Sequence, residues 1–124
     1  MPVLPAPTTH THALEHARFT SLATPSRGAS EVSVWRVEFD PGLPGVTHQL
    51  TRGEVFVVES GRLTVLLGET SSEAAAGDTI VVPPDTDFAL AAAGDEPAIA
   101  LCVLPAGGQA RMPGGEPFTP PWAL

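Results

Sequence analysis

Two ionisable side chains stand out by type and position. His48 and Glu54 are six residues apart, at the entrance to the apolar run Val55-Phe56-Val57-Val58, in a stretch that opens at Gly42 and closes at Gly61. An imidazole and a carboxyl at that spacing suit two kinds of chemistry. Both are common donors to a divalent metal. Both can also share a proton, because apolar surroundings disfavour a carboxylate and an imidazole titrates near neutral pH. His48 and Leu50 are two apart, so on a strand they face the same side. Glu54 starts the next strand, and Phe56 and Val58 share its face. A regular pairing therefore directs His48, Leu50, Glu54, Phe56 and Val58 into one interior.

The elements that must hold these residues are strands. Residues 31–40 form the strongest, with Trp35, Val37 and Phe39 alternating against Arg36 and Glu38. Further strands are expected at 18–23, 46–50, 54–59, 62–67, 72–76, 79–82, 87–92 and 98–104. Glycine and proline turns separate them, and Ser60-Gly61 reads as a hairpin turn. That gives about nine or ten short strands and no sustained helical period, which predicts an all-β sandwich or barrel. Prolines at 2, 5 and 7 make residues 1–17 an extended arm, with a short turn over 14–17. Residues 105–124 carry Gly107-Gly108, Pro113-Gly114-Gly115 and Pro120-Pro121. They fit no regular element and read as a tail packed on the barrel through Phe118 and Trp122. The predicted organisation is an arm (1–17), a barrel (18–104) and a tail (105–124).

Composition narrows the partners. The net charge is −8 and all six cations are arginine, so like-sign repulsion excludes nucleic acid and anionic membrane surfaces. A chain of 124 residues buries about two-thirds of its unfolded surface and needs no staple. Cys102 is the one cysteine, so no intrachain disulfide forms and a reducing compartment is expected. No basic-then-apolar leader is visible, and no apolar run approaches the roughly 20 residues of a membrane helix. The expectation is a soluble cytoplasmic protein. Lys, Asn and Tyr are absent while Ala, Gly and Pro abound, as in a GC-rich bacterial coding sequence.

The spacing Gly42, His48, Leu50, Glu54, Gly61 resembles the first motif of the cupin superfamily, except that the family has a second histidine where this chain has Leu50. Gly77 and Pro83 resemble the start of the second motif. There the family has glycine, histidine and asparagine where this chain has Asp85, Phe88 and Ala92. The resemblance spans roughly residues 30–104. It implies an antiparallel double-sheet jelly roll of the RmlC-like type, with a pocket inside the barrel. In typical members two histidines, the glutamate and the second-motif histidine hold a divalent metal there.

Carried over residue by residue, only His48 and Glu54 survive as ligands. Leu50 and Phe88 cannot coordinate, and a metal site usually needs three protein ligands or more. The sequence therefore predicts no resident cofactor and at most a weak, atypical divalent-metal site at His48 and Glu54, with Cys102, Gln49 or the N-terminal arm as the sources of a missing donor. Three functions stand: a small-molecule-binding barrel centred on His48 and Glu54; a metal-independent acid/base enzyme of the isomerase, dehydratase or cyclase type, with the same two residues catalytic; and a metal-dependent cupin enzyme with an altered site. The residues leave open whether a reaction is catalysed. The candidate pocket comprises Leu50, Phe56, Val58, Phe88 and Leu90, with Arg36 as a grip for a carboxylate and Cys102 if its strand parity turns it inward. Arg36 has the alternative of facing solvent beside a carboxylate on a neighbouring strand. His10, His12 and His16 share no single face in one conformation. Asp85 and Asp87 stand at turns on the expected rim. Exposed sheet edges and exchangeable arms predict a homodimer.

Overall fold

The structure, a computed structural model, describes residues 3–124. Eleven strands follow one another among these residues: β1 (His12–Ala13), β2 (Ala17–Ala23), β3 (Val32–Phe39), β4 (Gln49–Leu50), β5 (Glu54–Ser60), β6 (Arg62–Leu67), β7 (Thr70–Ala75), β8 (Thr79–Val82), β9 (Phe88–Ala92), β10 (Ala98–Pro105) and β11 (Ala110–Arg111). All pairings are antiparallel. One sheet has the order β1-β2-β3-β10-β5-β8. The second layer combines β7-β6-β9 with β4-β11, because His48 and Phe88 exchange backbone hydrogen bonds of 3.0 Å in both directions. The chain is an all-β double-sheet barrel. No helix among the described residues is long and apolar enough to cross a membrane.

Period-two patterning decides which side chains enter. In β3 the buried residues are Ser33, Trp35, Val37 and Phe39, and in β10 they are Ala98, Ala100, Cys102 and Leu104. Their register is Ala100 opposite Val37 and Cys102 opposite Trp35, so small residues of β10 lie beside large ones of β3. The outward faces carry the charges. Arg18 pairs with Glu38 and Asp40, Arg36 with Glu59, and Arg62 with Glu73.

The sequence reading is corrected at three places. Ser60-Gly61 does not close a hairpin: β5 is already flanked by β10 and β8, so β6 finds no free edge and enters the other sheet. Gly61 makes that corner at φ +70°, where a Cβ would lie 2.4 Å from the Pro97 carbonyl oxygen. The strand expected at 46–50 is reduced to Gln49–Leu50, with His48 held only by its bridge to Phe88. Just upstream, Gly45 packs so close to β9 that a Cβ would meet the Leu90 carbonyl oxygen at 2.4 Å.

The third correction concerns the tail, which does contain regular structure. β11 pairs with β4, and Pro121–Ala123 forms a 3₁₀ turn. The buried hydroxyls of Ser21 and Ser33 donate to the carbonyls of Trp122 (2.7 Å) and Ala123 (2.6 Å), which is how two polar residues are accommodated on inward faces. The arm also joins a sheet, with His12 opposite Phe19 and Ala13 opposite Arg18.

Candidate functional site

A partly open cavity of about 200 Å³ lies between the barrel's two layers. Glu54 enters it from the first residue of β5, where its partner on β8 is Val82. The residue is 3% exposed, and its carboxyl makes no hydrogen bond among the described residues. Burial alone pushes its pKa well above the usual carboxylate range. Burial thus favours the protonated carboxyl, which offers both an O–H donor and a carbonyl acceptor.

His48 faces the same cavity from the segment before β4. Its Nδ1 lies 2.8 Å from the Val46 carbonyl oxygen. A carbonyl oxygen only accepts, so Nδ1 carries the hydrogen and Nε2 keeps a free lone pair. The ring tilts over Phe88, with centroids 4.3 Å apart. Burial lowers the pKa of His48; the Val46 hydrogen bond opposes this, and His16 adds to the lowering. Burial thus favours the neutral form of both residues. Both line the same cavity, and they do not hydrogen-bond each other among the described residues.

Leu50, Phe56, Phe88 and Leu90 line the cavity. Three other residues proposed from the sequence do not. Arg36 lies on the outer face, its Nε donating to Glu59 Oε1 at 2.7 Å across β10, because position 36 is out of phase with the inward Trp35 and Val37. Cys102 does turn inward, yet it is sealed between its cross-strand neighbours Trp35 and Phe56. Burial raises its thiol pKa well above the ordinary value, and the charges of Glu54 and Glu59 add to that. Val58 is buried one inward step beyond Phe56 and lies outside the cavity wall.

Sequence reasoning also missed contributors. His16 from the arm and Met112, Phe118, Pro120 and Trp122 from the tail close the cavity. Trp122 stacks on Phe19 with centroids 3.7 Å apart and planes 5° off parallel. The signal for this existed in two aromatic residues stranded among prolines, and in the serine at 21 that breaks an apolar face. His10 and His12 go elsewhere. His10 borders a small polar depression with Arg18 and Arg36 on the outer sheet face, and His12 Nδ1 lies 2.8 Å from Thr11 Oγ1. On the rim, Asp87 accepts from Gln49 (2.9 Å) and Asp85 approaches Arg111 (3.5 Å).

The residues were tested for the metal that the resemblance implies. Leu50 and Phe88 take the positions of two expected ligands and are 3% and 1% exposed, their side chains filling the site. Among the described residues no three His, Cys, Asp or Glu side chains converge as a metal site would require. The donor set does not fit a family-type centre.

The cupin domain family matches residues 35–104, more than half of the 124-residue chain. A cupin-like protein from Thermotoga maritima MSB8 is 23% identical with a TM-score of 0.70, over 77% of this chain and 74% of that one. KdgF from Halomonas sp. is 19% identical with a TM-score of 0.68, over 78% and 86%. The polyketide cyclase RemF from Streptomyces resistomycificus is 17% identical with a TM-score of 0.70, over 76% and 68%. At these identities the likeness is one of fold alone. No curated protein matches the chain in sequence.

Proposed function

The chain belongs to the cupin domain family, and from that premise we propose that its barrel binds a small, largely apolar molecule by way of Glu54 and His48. One observation carries the reading. A Glu54 carboxyl that is 3% exposed and has no hydrogen-bond partner among the described residues lines an apolar cavity, and His48, with its Nδ1 hydrogen engaged by Val46, lines the same cavity. The carboxyl oxygens reach the cavity and, among the described residues, no side-chain polar atom is sealed without a partner, so a ligand that hydrogen-bonds to both groups gains about 0.5–1.5 kcal/mol from each bond.

A second reading follows from the protonation states. Burial favours a Glu54 that holds a proton it can give, and with Nδ1 engaged by Val46 the Nε2 atom of His48 has a lone pair that can take one. This is the resting state required for general acid/base catalysis of an isomerisation, dehydration or cyclisation. Glu54 would protonate a carbonyl or departing hydroxyl oxygen while His48 removes a proton elsewhere on the substrate. The metal-dependent reading is not developed, because Leu50 and Phe88 supply no donor.

A melting-shift screen of uncharged small molecules tests the binding reading, since stabilisation grows as RT ln(1 + [L]/Kd). At least one compound should stabilise the wild type and do so less in Glu54→Leu. A screen with no hits, or hits indifferent to Glu54 and His48, would overturn it. For the catalytic reading, Glu54→Gln should retain binding and lose turnover; full turnover in that variant ends the idea.

A further inference from the structure

We infer that the ligand is an uncharged aromatic molecule bearing a hydroxyl group. The inference rests on the binding reading above and names the chemistry of the occupant.

The first observation is where the aromatic residues are. The chain has five phenylalanines, two tryptophans and no tyrosine. Every one of them, Phe19, Trp35, Phe39, Phe56, Phe88, Phe118 and Trp122, borders this single cavity. The rest of the buried core is aliphatic: Val58, Leu63, Val65, Ile80, Val82 and Leu104. Aromatic side chains used only to fill a barrel would be spread over both regions. Here they are segregated around empty space, and they come from the body (β2, β3, β5, β9) and from the tail. Such walls favour a flat π-system through offset and edge-to-face packing. An apolar cavity of about 150 Å³ takes up benzene, so the cavity here, at about 200 Å³, has room for one to two fused rings.

The second observation concerns charge. No lysine or arginine lines the cavity. Arg111, beside the lining residue Ala110, is engaged with Asp85 and Gln49, and Arg36 with Glu59 on the outer face. A carboxylate, sulfate or phosphate entering the barrel would lose its water and meet no cation, which is strongly unfavourable. The chain's net charge of −8 adds to the exclusion.

The third observation is the polarity of the two available groups. Nε2 of His48 needs a donor, since its ring hydrogen is spent on Val46. Glu54 needs an acceptor for its O–H. A hydroxyl group is both: it donates to Nε2 and its oxygen accepts from Glu54. An alkylamine would protonate in water, an arylamine would donate to His48 but its delocalised nitrogen accepts poorly from Glu54, and a bare hydrocarbon would leave both groups unpaired.

Isothermal titration calorimetry of the full chain with 2-naphthol, 2-naphthoate and naphthalene tests the inference. 2-Naphthol should bind at least 30-fold tighter than 2-naphthoate. Its affinity relative to naphthalene should fall at least tenfold in Glu54→Leu and again in His48→Leu. Equal binding of naphthoate and naphthol would overturn the charge argument while leaving the cavity a binding site. An unchanged naphthol-to-naphthalene ratio in both variants would overturn the role of the polar pair. If none of the three binds the wild type, the inference falls, while the binding reading stands or falls separately with the melting-shift screen.

Discussion

Replacing Glu54 by leucine removes the one buried carboxyl of the barrel and leaves a side chain of similar bulk. Ordinarily a buried polar residue is changed at a loss. Here the carboxyl has no hydrogen bond among the described residues and stands among Phe56, Phe88 and Leu50, so its removal should stabilise the unliganded protein. Replacing a largely desolvated carboxyl whose oxygens reach only an apolar cavity is worth about 1 kcal/mol, and for a chain of this length each kcal/mol moves Tm by about 4 °C. The gain should depend on pH in a defined direction. Burial raises the folded-state pKa of Glu54 above its unfolded value. Above the unfolded pKa of about 4.3 the unfolded chain therefore releases a proton that the folded chain retains. Wild-type stability then falls as pH rises through that point, and continues to fall until the folded carboxyl itself ionises. Glu54→Leu has no such penalty, so its advantage widens with pH.

The assay is urea denaturation of both proteins from pH 4 to pH 8, with the difference in unfolding free energy as the readout. Working with the difference matters because His48 acts in the opposite sense. Its lowered pKa costs stability as pH falls below about 6.5, and this is common to both proteins. The expected result is a gap of about 1 kcal/mol at pH 7 that narrows towards pH 4. A gap that is flat with pH, or a variant less stable than wild type throughout, would show that Glu54 is partnered in solution and that the free acid is not a feature of the site.

Three further outcomes follow from the same structure. Trp122→Ala, which removes the ring stacked on Phe19 at 3.7 Å, should cost about 2–4 kcal/mol and weaken any cavity ligand, measured by thermal melting with and without it; an unchanged Tm refutes the view that the tail is part of the closed barrel. Asp85 is the only non-glycine residue with positive φ among those described, at +55°, so Asp85→Val should cost about 1–2 kcal/mol through backbone strain while Asp85→Gly stays near neutral by urea denaturation. The double variant Leu50→His with Phe88→His places donors at the two missing positions beside His48 and Glu54, and should bind about one equivalent of Ni²⁺ or Co²⁺ by elemental analysis and visible absorption. Failure to load metal would mean that His48 and Glu54 are not held in ligating geometry.

The parts of the fold that could be read from the sequence are those set by local chemistry. Alternation in residues 31–40 set Trp35, Val37 and Phe39 on one face and Arg36 and Glu38 on the other, as in β3, although Arg36 was also offered as a pocket residue and is not one. Leu50, Phe56, Phe88 and Leu90, grouped with His48 and Glu54 from period two and the motif spacing, border one cavity, whereas Val58, from the same grouping, does not. What could not be read depends on contacts distant in the chain. A turn signal at Ser60-Gly61 is the same for a hairpin and for a corner between sheets; only the occupation of both edges of β5 by β10 and β8 separates them. Arg36 found Glu59 two strands away, with Leu101 of β10 between, an arrangement invisible before the strand order is known. Cys102 faces inward yet is hidden, since parity gives direction and says nothing of how much its neighbours cover. The tail's closure of the cavity rests on hydrogen bonds from Ser21 and Ser33 to residues about a hundred and ninety positions away respectively.

The replacements at positions 50 and 88 change more than the ligand count. In the arrangement typical of the family the glutamate is needed as an anion and the histidine as a neutral donor, and the metal's charge keeps them so. With Leu50 and Phe88 in place, the apolar walls act on the remaining two residues. Burial now drives Glu54 to keep its proton, while His48 stays neutral because burial and His16 lower its pKa. Two substitutions thereby reverse the sign of what Glu54 presents, from an acceptor for a cation to a donor for an oxygen atom. The surrounding aromatic walls fit this reversed site, since a hydrated ion gains nothing from Trp35 or Phe88, whereas an uncharged ring does. On this argument, restoring one histidine alone should not restore metal binding. The third ligand would still have to give up its proton in an apolar wall, so Leu50→His without Phe88→His is expected to load no metal at neutral pH.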